Sequence, residues 1–142
     1  MKVELILRTK GSDVFSVMET ETVAEAVELL TSKNIGAVIV RNEAGGIAGI
    51  LSERDIVRRL KAEGAGALNA RVGACMTRNP HTCTPDHTID DLMSMMTERR
   101  IRHIPVVAGG RLIGLVSIGD VVKRKIEMSE QEAAALKEYI AS

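Results

Sequence analysis

The sequence predicts a mixed chain of the α/β class, α+β in type, assembled from two copies of one β-α-β-β-α unit. Three observations predict it. The block GILSERDIVRR from Gly49 recurs as GLVSIGDVVKR from Gly114, an offset of 65 residues. An upstream block, TVAEAVELLTSKNIGAVIV from Thr22, recurs as TIDDLMSMMTERRIRHIPV from Thr88, an offset of 66. Within each copy the apolar rhythm passes from helical spacing to dense β-branched runs and back again. The one-residue difference falls in a turn, where EAGG (43–46) faces the shorter AGG (108–110).

Each copy opens with a short β-like stretch, Asp13 to Met18 or His81 to Thr84. Thr22 and Thr88 then stand as helix N-caps, with Glu25 and Asp91 three residues on to complete capping boxes. The helices that follow carry Val23, Ala26, Val27 and Leu30 in one copy and Ile89, Leu92, Met93 and Met96 in the other. Spacing of three and four places each set on one buried stripe, so the methionines are core filling rather than a cofactor site. Two strands form the hairpin of each copy: Ile35 to Val40 with Ile47 to Leu51, and Ile101 to Val107 with Leu112 to Val116. A second helix begins at Ser52 or Ser117, where an Asp three residues later complements the helix dipole.

A unit of about sixty residues scarcely buries both faces of a small sheet, so the copies are expected to pack together about a pseudo-twofold axis. We divide the chain into residues 1–66 (N-terminal segment and first repeat), 67–126 (second repeat) and 127–142 (helical tail). Glu63 to Ala70, rich in Gly and Ala, reads as a flexible linker. The tail has few apolar residues and suits docking on the module or on a partner.

Composition narrows the function. The 142 residues carry 19 basic and 19 acidic side chains, so the formal net charge is zero and no global field draws the chain to nucleic acid or an anionic membrane. The single Tyr and single Phe, with no Trp, leave no stacking platform for bases, although RIRH (100–103) and VKRKI (122–126) are locally basic. An interaction or nucleic-acid-binding module without a small-molecule ligand is the alternative reading. The N-terminal apolar run is too short for a signal peptide or membrane span, and the expected location is cytoplasmic. Cys75 and Cys83 match no structural zinc spacing and read as ordinary reduced thiols. No Walker loop, no strand-borne GxGxxG and no Ser/His/Asp or Cys/His arrangement is present, so the chain reads as a non-enzyme with no catalytic cofactor.

From about Asp13 to Arg124 these residues resemble the CBS repeat, whose tandem pair is called a Bateman module. The resemblance rests on Gly-x-x-Ser-x-x-Asp, present as Gly49-Ser52-Asp55 and as Gly114-Ser117-Asp120, and on RHIPVV at Arg102 to Val107. The first copy departs from the latter, with Ile39 where the second has Pro105. The resemblance implies an adenosine site in the cleft between repeats, with ribose held by Asp55 and Asp120 and helix-start contacts from Ser52 and Ser117. A carboxylate accepts bonds from both ribose hydroxyls, and Ser offers a hydroxyl beside free backbone N–H groups. Ile35, Gly36 and Ala37, and Ile101 to Pro105 with Ile104 among them, correspond to the family's adenine slot. Arg54, Arg102 and His103 are the candidate phosphate cations, and a nucleoside on one repeat is expected to extend its phosphate to the basic residues of the other. Gly119 replaces Arg54 in the second copy, so the two sites are expected to differ in size and charge. The implied ligands are AMP, NAD(H) or ATP, with S-adenosylmethionine also known in the family. The implied role is sensing: a ligand-induced change read by a separate, unidentified protein. Two such modules are expected to form a homodimer through the helices at Leu92 to Met96 and at Val121.

Overall fold

A computed structural model describes residues 1–11 and 13–141; Ser12, and Ser142 at the end of the tail, lie outside the described residues. The chain forms two compact units. One is continuous, Asp13 to His81; the other joins the segment before Asp13 to everything from Thr82 onward.

In the continuous unit, β1 (Ser16–Met18) runs parallel to β2 (Ala37–Arg41), and α2 (Val23–Lys33) makes the crossover between them. The hairpin partner β3 (Ile47–Ser52) leads directly into α3 (Glu53–Glu63). A 3₁₀ turn at Gly64–Asn69 and a short helix α4 (Val72–Cys75) then bring β4 (Thr77–Arg78) antiparallel onto β3. The stretch read as a flexible linker is therefore structured. Ala67, in the 3₁₀ turn, is fully buried, because the small side chains that suggested flexibility instead let the turn seat closely.

The other unit repeats the plan. Helix α5 (Ile89–Arg99) precedes the hairpin β5 (His103–Ala108) and β6 (Arg111–Ser117), which feeds α6 (Ile118–Ala141). In place of β1 there is a single bridge, Cys83 to Val106, parallel like its counterpart. The added element is α1 (Val3–Lys10), which its place in the sequence grouped with the first repeat and which packs instead with the second.

The two upstream segments are thus exchanged in the same way. The Val3 N–H donates to the His87 carbonyl and the Ile89 N–H to the Met1 carbonyl, both at 2.9 Å. In the continuous unit the Val72 N–H donates to Glu21 at 2.8 Å and the Val23 N–H to Ala70 at 2.9 Å. Each helix that follows a Thr cap is therefore clamped by a segment lying before the other repeat in the chain.

Helix ends follow local rules. Thr22 accepts from the Glu25 N–H without the reciprocal bond expected there, whereas the full box expected at Thr88–Asp91 forms, and another forms at Ser52–Asp55. The hydrogen bond from the Thr88 N–H, with the Thr88 side chain, holds the Asp91 carboxyl below its ordinary pKa. Helices α2 and α5 both end in a left-handed residue, Asn34 and Arg100, where the chain turns into the hairpin.

Each unit has its own apolar core. Val23, Ala26, Leu30, Val38, Val40 and Leu51 lead one, and Ile89, Leu92, Met96, Ile104, Val106 and Val116 lead the other. These are the stripe and strand positions expected. Burying each of these Val, Leu, Ile and Met side chains is worth about 1.5–3 kcal/mol, so packing, not the few caps, carries most of the stability. Leu92, Met96 and Val121, in the helices that the resemblance places at a dimer contact, themselves belong to this interior, while Val122 beside Val121 is exposed.

Candidate functional site

The Gly-x-x-Ser-x-x-Asp motif spans the end of a strand and the first turn of the helix after it. Ser52 caps α3 by accepting from the Asp55 N–H at 3.3 Å, while Asp55 Oδ2 accepts from the Ser52 N–H at 2.9 Å and its hydroxyl at 3.0 Å. The second copy matches: Ser117 accepts from the Asp120 N–H at 3.2 Å, and Asp120 Oδ2 accepts from the Ser117 N–H and hydroxyl, both at 2.9 Å. Capping therefore uses Oδ2 in both copies. Oδ1, with its two lone pairs, stands outside the box.

The strand-entry residues lie beside these helix starts. The N–H of Glu53 donates to the Gly36 carbonyl at 3.0 Å, and that of Ile118 to the Arg102 carbonyl at 2.7 Å. Ala37 pairs with Ser52 and His103 with Ser117 across the hairpins. Ile35 and Ile101 are partly buried; Ala37, Ile104 and Pro105 are buried. The structure thus gathers the expected residues within each copy, next to the motif.

The expected cations are less uniform. Arg54 and Gly119 are exposed in the first turns of α3 and α6. Arg102 was expected on a buried strand; it is exposed and precedes β5, because the strand begins only at His103, which is partly buried. Two basic residues outside the expected set, Arg58 and Arg59, line a depression of about 340 Å³ together with Asp55, Ala62, Ala74 and Cys75. Arg59 is held there by Glu63 at 2.8 Å and by the Ala74 carbonyl at 3.3 Å. The signal for this pair was in the repeat, since Lys123 and Arg124 stand at the same places in the second copy.

The exchanged segments reach the motif carboxylates, and here the copies diverge. Thr77, from β4, donates its hydroxyl to Asp55 Oδ1 at 3.3 Å. Lys10, the last residue of α1, donates to Asp120 Oδ2 at 2.6 Å and to the Leu115 carbonyl at 2.7 Å. Burial pulls the Asp120 carboxyl upward, but the hydrogen bond and charge of Lys10, with the Ser117 N–H and hydroxyl, outweigh it and hold the group below its ordinary pKa. Sequence reasoning missed Lys10 and Thr77. Only the short parallel between Lys2-Val3 and Arg71-Val72 hinted at an exchanged pair.

The motif glycines have a packing reason. A Cβ on Gly49 would lie well inside contact distance of the Thr77 carbonyl oxygen, and one on Gly114 would meet the Leu7 side chain. Glycine is therefore required at 49, where the backbone of β4 crosses β3, whereas at 114 only the end of the Leu7 side chain would have to shift.

Among the described residues no cluster of three or more His, Cys, Asp or Glu side chains is arranged to hold a metal ion, and no helix is long and apolar enough to cross a membrane. Both cysteines are free; burial pushes the Cys83 thiol up to about 11 and raises that of Cys75 as well, the latter offset in part by Arg59.

Two β-α-β-β-α units, each with a capped Ser-x-x-Asp turn at the end of its hairpin, define a tandem repeat module with two equivalent but unlike sites. The chain belongs to the CBS domain family, which it matches twice, over residues 7–62 and 72–127. It is similar to a CBS-domain containing protein of known structure from Agrobacterium tumefaciens, with a TM-score of 0.86 and 42% identity over 87% of this chain and 92% of that one. It is 39% identical to the mitochondrial CBS domain-containing protein CBSX3 of Arabidopsis thaliana over 84% of this chain, and spans 60% of that relative's length. A CBS domain pair solved in complex with 5-methylthioadenosine and S-adenosyl-L-methionine is similar with a TM-score of 0.76 and 25% identity, over 87% of this chain and 98% of that one.

Proposed function

We propose that this chain is a regulatory module that binds adenine nucleotides, without turning them over, and signals the bound state to a separate protein. The observation that carries this reading is the division of labour within each motif carboxylate. One oxygen of Asp55 and of Asp120 is committed to the helix cap, and the other keeps a lone pair for a ribose hydroxyl, although Thr77 already donates to Asp55 Oδ1. The strand-entry carbonyl at Gly36 or Arg102 lies one residue from an apolar pair, which suits the edge and face of adenine. The CBS pair complexed with two adenosine-containing molecules supports the same class of ligand.

The ligands proposed are AMP, NAD(H) or ATP. The carboxylate contacts make the two sites unequal. Asp55 meets a neutral hydroxyl and stands near Arg58 and Arg59, whereas Asp120 carries an ammonium. A ribose arriving at Asp120 competes with Lys10, and a phosphate at the same place gains from it. Binding shifts the module between states only by its differential affinity for them, so the partner reads whichever state the nucleotide favours.

Calorimetric titration with AMP tests the reading. Asp55→Asn and Asp120→Asn each remove a ribose acceptor and are expected to weaken their own site about tenfold or more, the equivalent of about 1.4 kcal/mol or more. Asp91→Asn, which weakens a cap outside the motif, controls for cap loss: it lowers stability while leaving AMP affinity unchanged. Equal affinities for all three variants and the parent chain would overturn the reading.

A further inference from the structure

We infer that the continuous unit carries a separate anion site, away from the motif, in which Arg71 and Arg78 hold a phosphate group. Both line an open depression of about 520 Å³ whose remaining walls are Glu19, Thr20, Gly73 and Ala74. Each guanidinium is tied to a backbone carbonyl of that wall: Arg71 Nη1 donates to Thr20 at 2.6 Å and Arg78 Nη2 to Gly73 at 3.4 Å. Both arginines are exposed, and among the described residues neither is ion-paired with a carboxylate, Glu19 included.

The other unit shows what is missing. The Val72 N–H donates to Glu21 and that of Gly73 to Glu19, just as Val3 donates to His87 and Glu4 to Pro85. Arg71 bridges to Thr22 as Lys2 bridges to Thr88. Lys2 is therefore the counterpart of Arg71, Glu4 of Gly73 and Asp86 of Thr20. Lys2 has its carboxylate in Asp86, at 3.6 Å, and Glu4 supplies a further acid two residues on, paired with Arg8 at 2.8 Å. Around Arg71 a threonine and a glycine stand where those acids would be. The cation is present in both units and its counterions in only one, so the charge at Arg71 and Arg78 is left to be met from outside.

The depression is distinct from the motif. Thr77 reaches Asp55 with its hydroxyl, and successive residues of a strand point to opposite faces, so Arg78 projects from the other face of the sheet. Glu19 follows the end of β1 where Met18 pairs with Arg41, whereas the motif serine pairs with Ala37, at the opposite end of β2 and about 13 Å along the strand. Arg71 and Arg78 are therefore not the phosphate end of a nucleotide held at Asp55.

Phosphate suits the pair better than a carboxylate does. One guanidinium fork satisfies a carboxylate, whereas a phosphate dianion has oxygens enough for two. Glu19 offsets one of the two positive charges, so an anion of higher charge is needed for a useful attraction. The carbonyl tethers order both side chains before a ligand arrives, which lowers the entropy cost of closing on it.

Titration of the full chain with sodium phosphate at pH 7.5 and constant ionic strength, followed by amide NMR, tests this. The amides of Gly73, Ala74 and Arg78 are expected to shift with a dissociation constant of about 1–10 mM, as solvent-screened charges give. Arg71→Gln with Arg78→Gln should weaken the binding about tenfold or more, and Thr20→Asp, which supplies the acid that Lys2 has in the other unit, should weaken it too. All three positions are exposed, and the spectra themselves report that the fold survives. Asp55→Asn should leave the shifts in place, which separates this site from the motif. Glycerol 3-phosphate run beside inorganic phosphate distinguishes the sources: tighter binding of the ester identifies a small phosphomonoester, and tighter binding of the ion identifies free phosphate. Shifts that sodium acetate reproduces at the same concentrations, shifts absent from these amides, or an affinity unmoved by the arginine and Thr20 substitutions would each overturn the inference.

Discussion

Lys10 offers a direct test of whether the exchanged segment matters to the site. Its ammonium lies 2.6 Å from Asp120 Oδ2, with side-chain exposures of 37% and 24% for the two partners. A fully exposed pair is worth about 0.2–1 kcal/mol and a buried charged hydrogen bond about 1.5–3 kcal/mol. This half-screened pair, discounted for the solvent that reaches Lys10, should couple by about 1 kcal/mol. A double-mutant cycle of Lys10→Met and Asp120→Asn, read by urea unfolding at pH 7, measures that term. The Asp120 carboxyl is held below its ordinary pKa in the folded chain, so its contribution is fully present above the unfolded value of about 4 and is lost as pH falls through the folded value. The coupling should therefore be intact at pH 7 and weaken progressively as pH falls below about 4. Lys10→Met should also raise the affinity of neutral adenosine at this site by about fivefold, the equivalent of roughly 1 kcal/mol, and benefit AMP less. Coupling below about 0.3 kcal/mol, within the additivity error for independent sites, would refute the reasoning.

Other perturbations separate packing from chemistry. Gly49→Ala forces a methyl group against the backbone of β4 and should destabilise by about 1–3 kcal/mol. Gly114→Ala meets only the movable end of Leu7 and should cost clearly less; comparing midpoints of thermal unfolding checks the order. The Cys83 thiol should resist alkylation in the folded chain at pH 8 while Cys75, partly exposed, reacts first, a difference mass spectrometry of the labelled peptides resolves. Because burial raises the Cys83 pKa to about 11, its contribution to stability is complete below the unfolded value of about 8.5 and declines above it, by about 2 kcal/mol near pH 10. Cys83→Val should flatten that decline, and an unchanged pH slope would argue against the assignment.

Much of this was legible without coordinates because the repeat reports twice on every position. The stripes Val23 to Leu30 and Ile89 to Met96, the hairpins and the Ser caps all follow from local periodicity and capping chemistry, which act within a few residues. Glu63 to Ala70 misled because small residues suit both a loose linker and a tight turn, and only the wall behind Ala67 distinguishes them. Arg102 misled because strand propensity does not mark where pairing begins; the hydrogen bond from Ile118 to the Arg102 carbonyl ends the connection one residue before β5.

The sequence by itself determined two β-α-β-β-α copies and the Ser and Asp at each helix start, since those depend on side-chain period and on donors and acceptors three residues apart. Tertiary structure alone decided which segment each carboxylate meets. Lys10 lies 110 positions from Asp120 and Thr77 lies 22 from Asp55, separations over which no periodicity or propensity carries information. Thus Gly-x-x-Ser-x-x-Asp, written nearly identically twice, becomes two unlike sites, because a lysine and a threonine arrive by chain exchange.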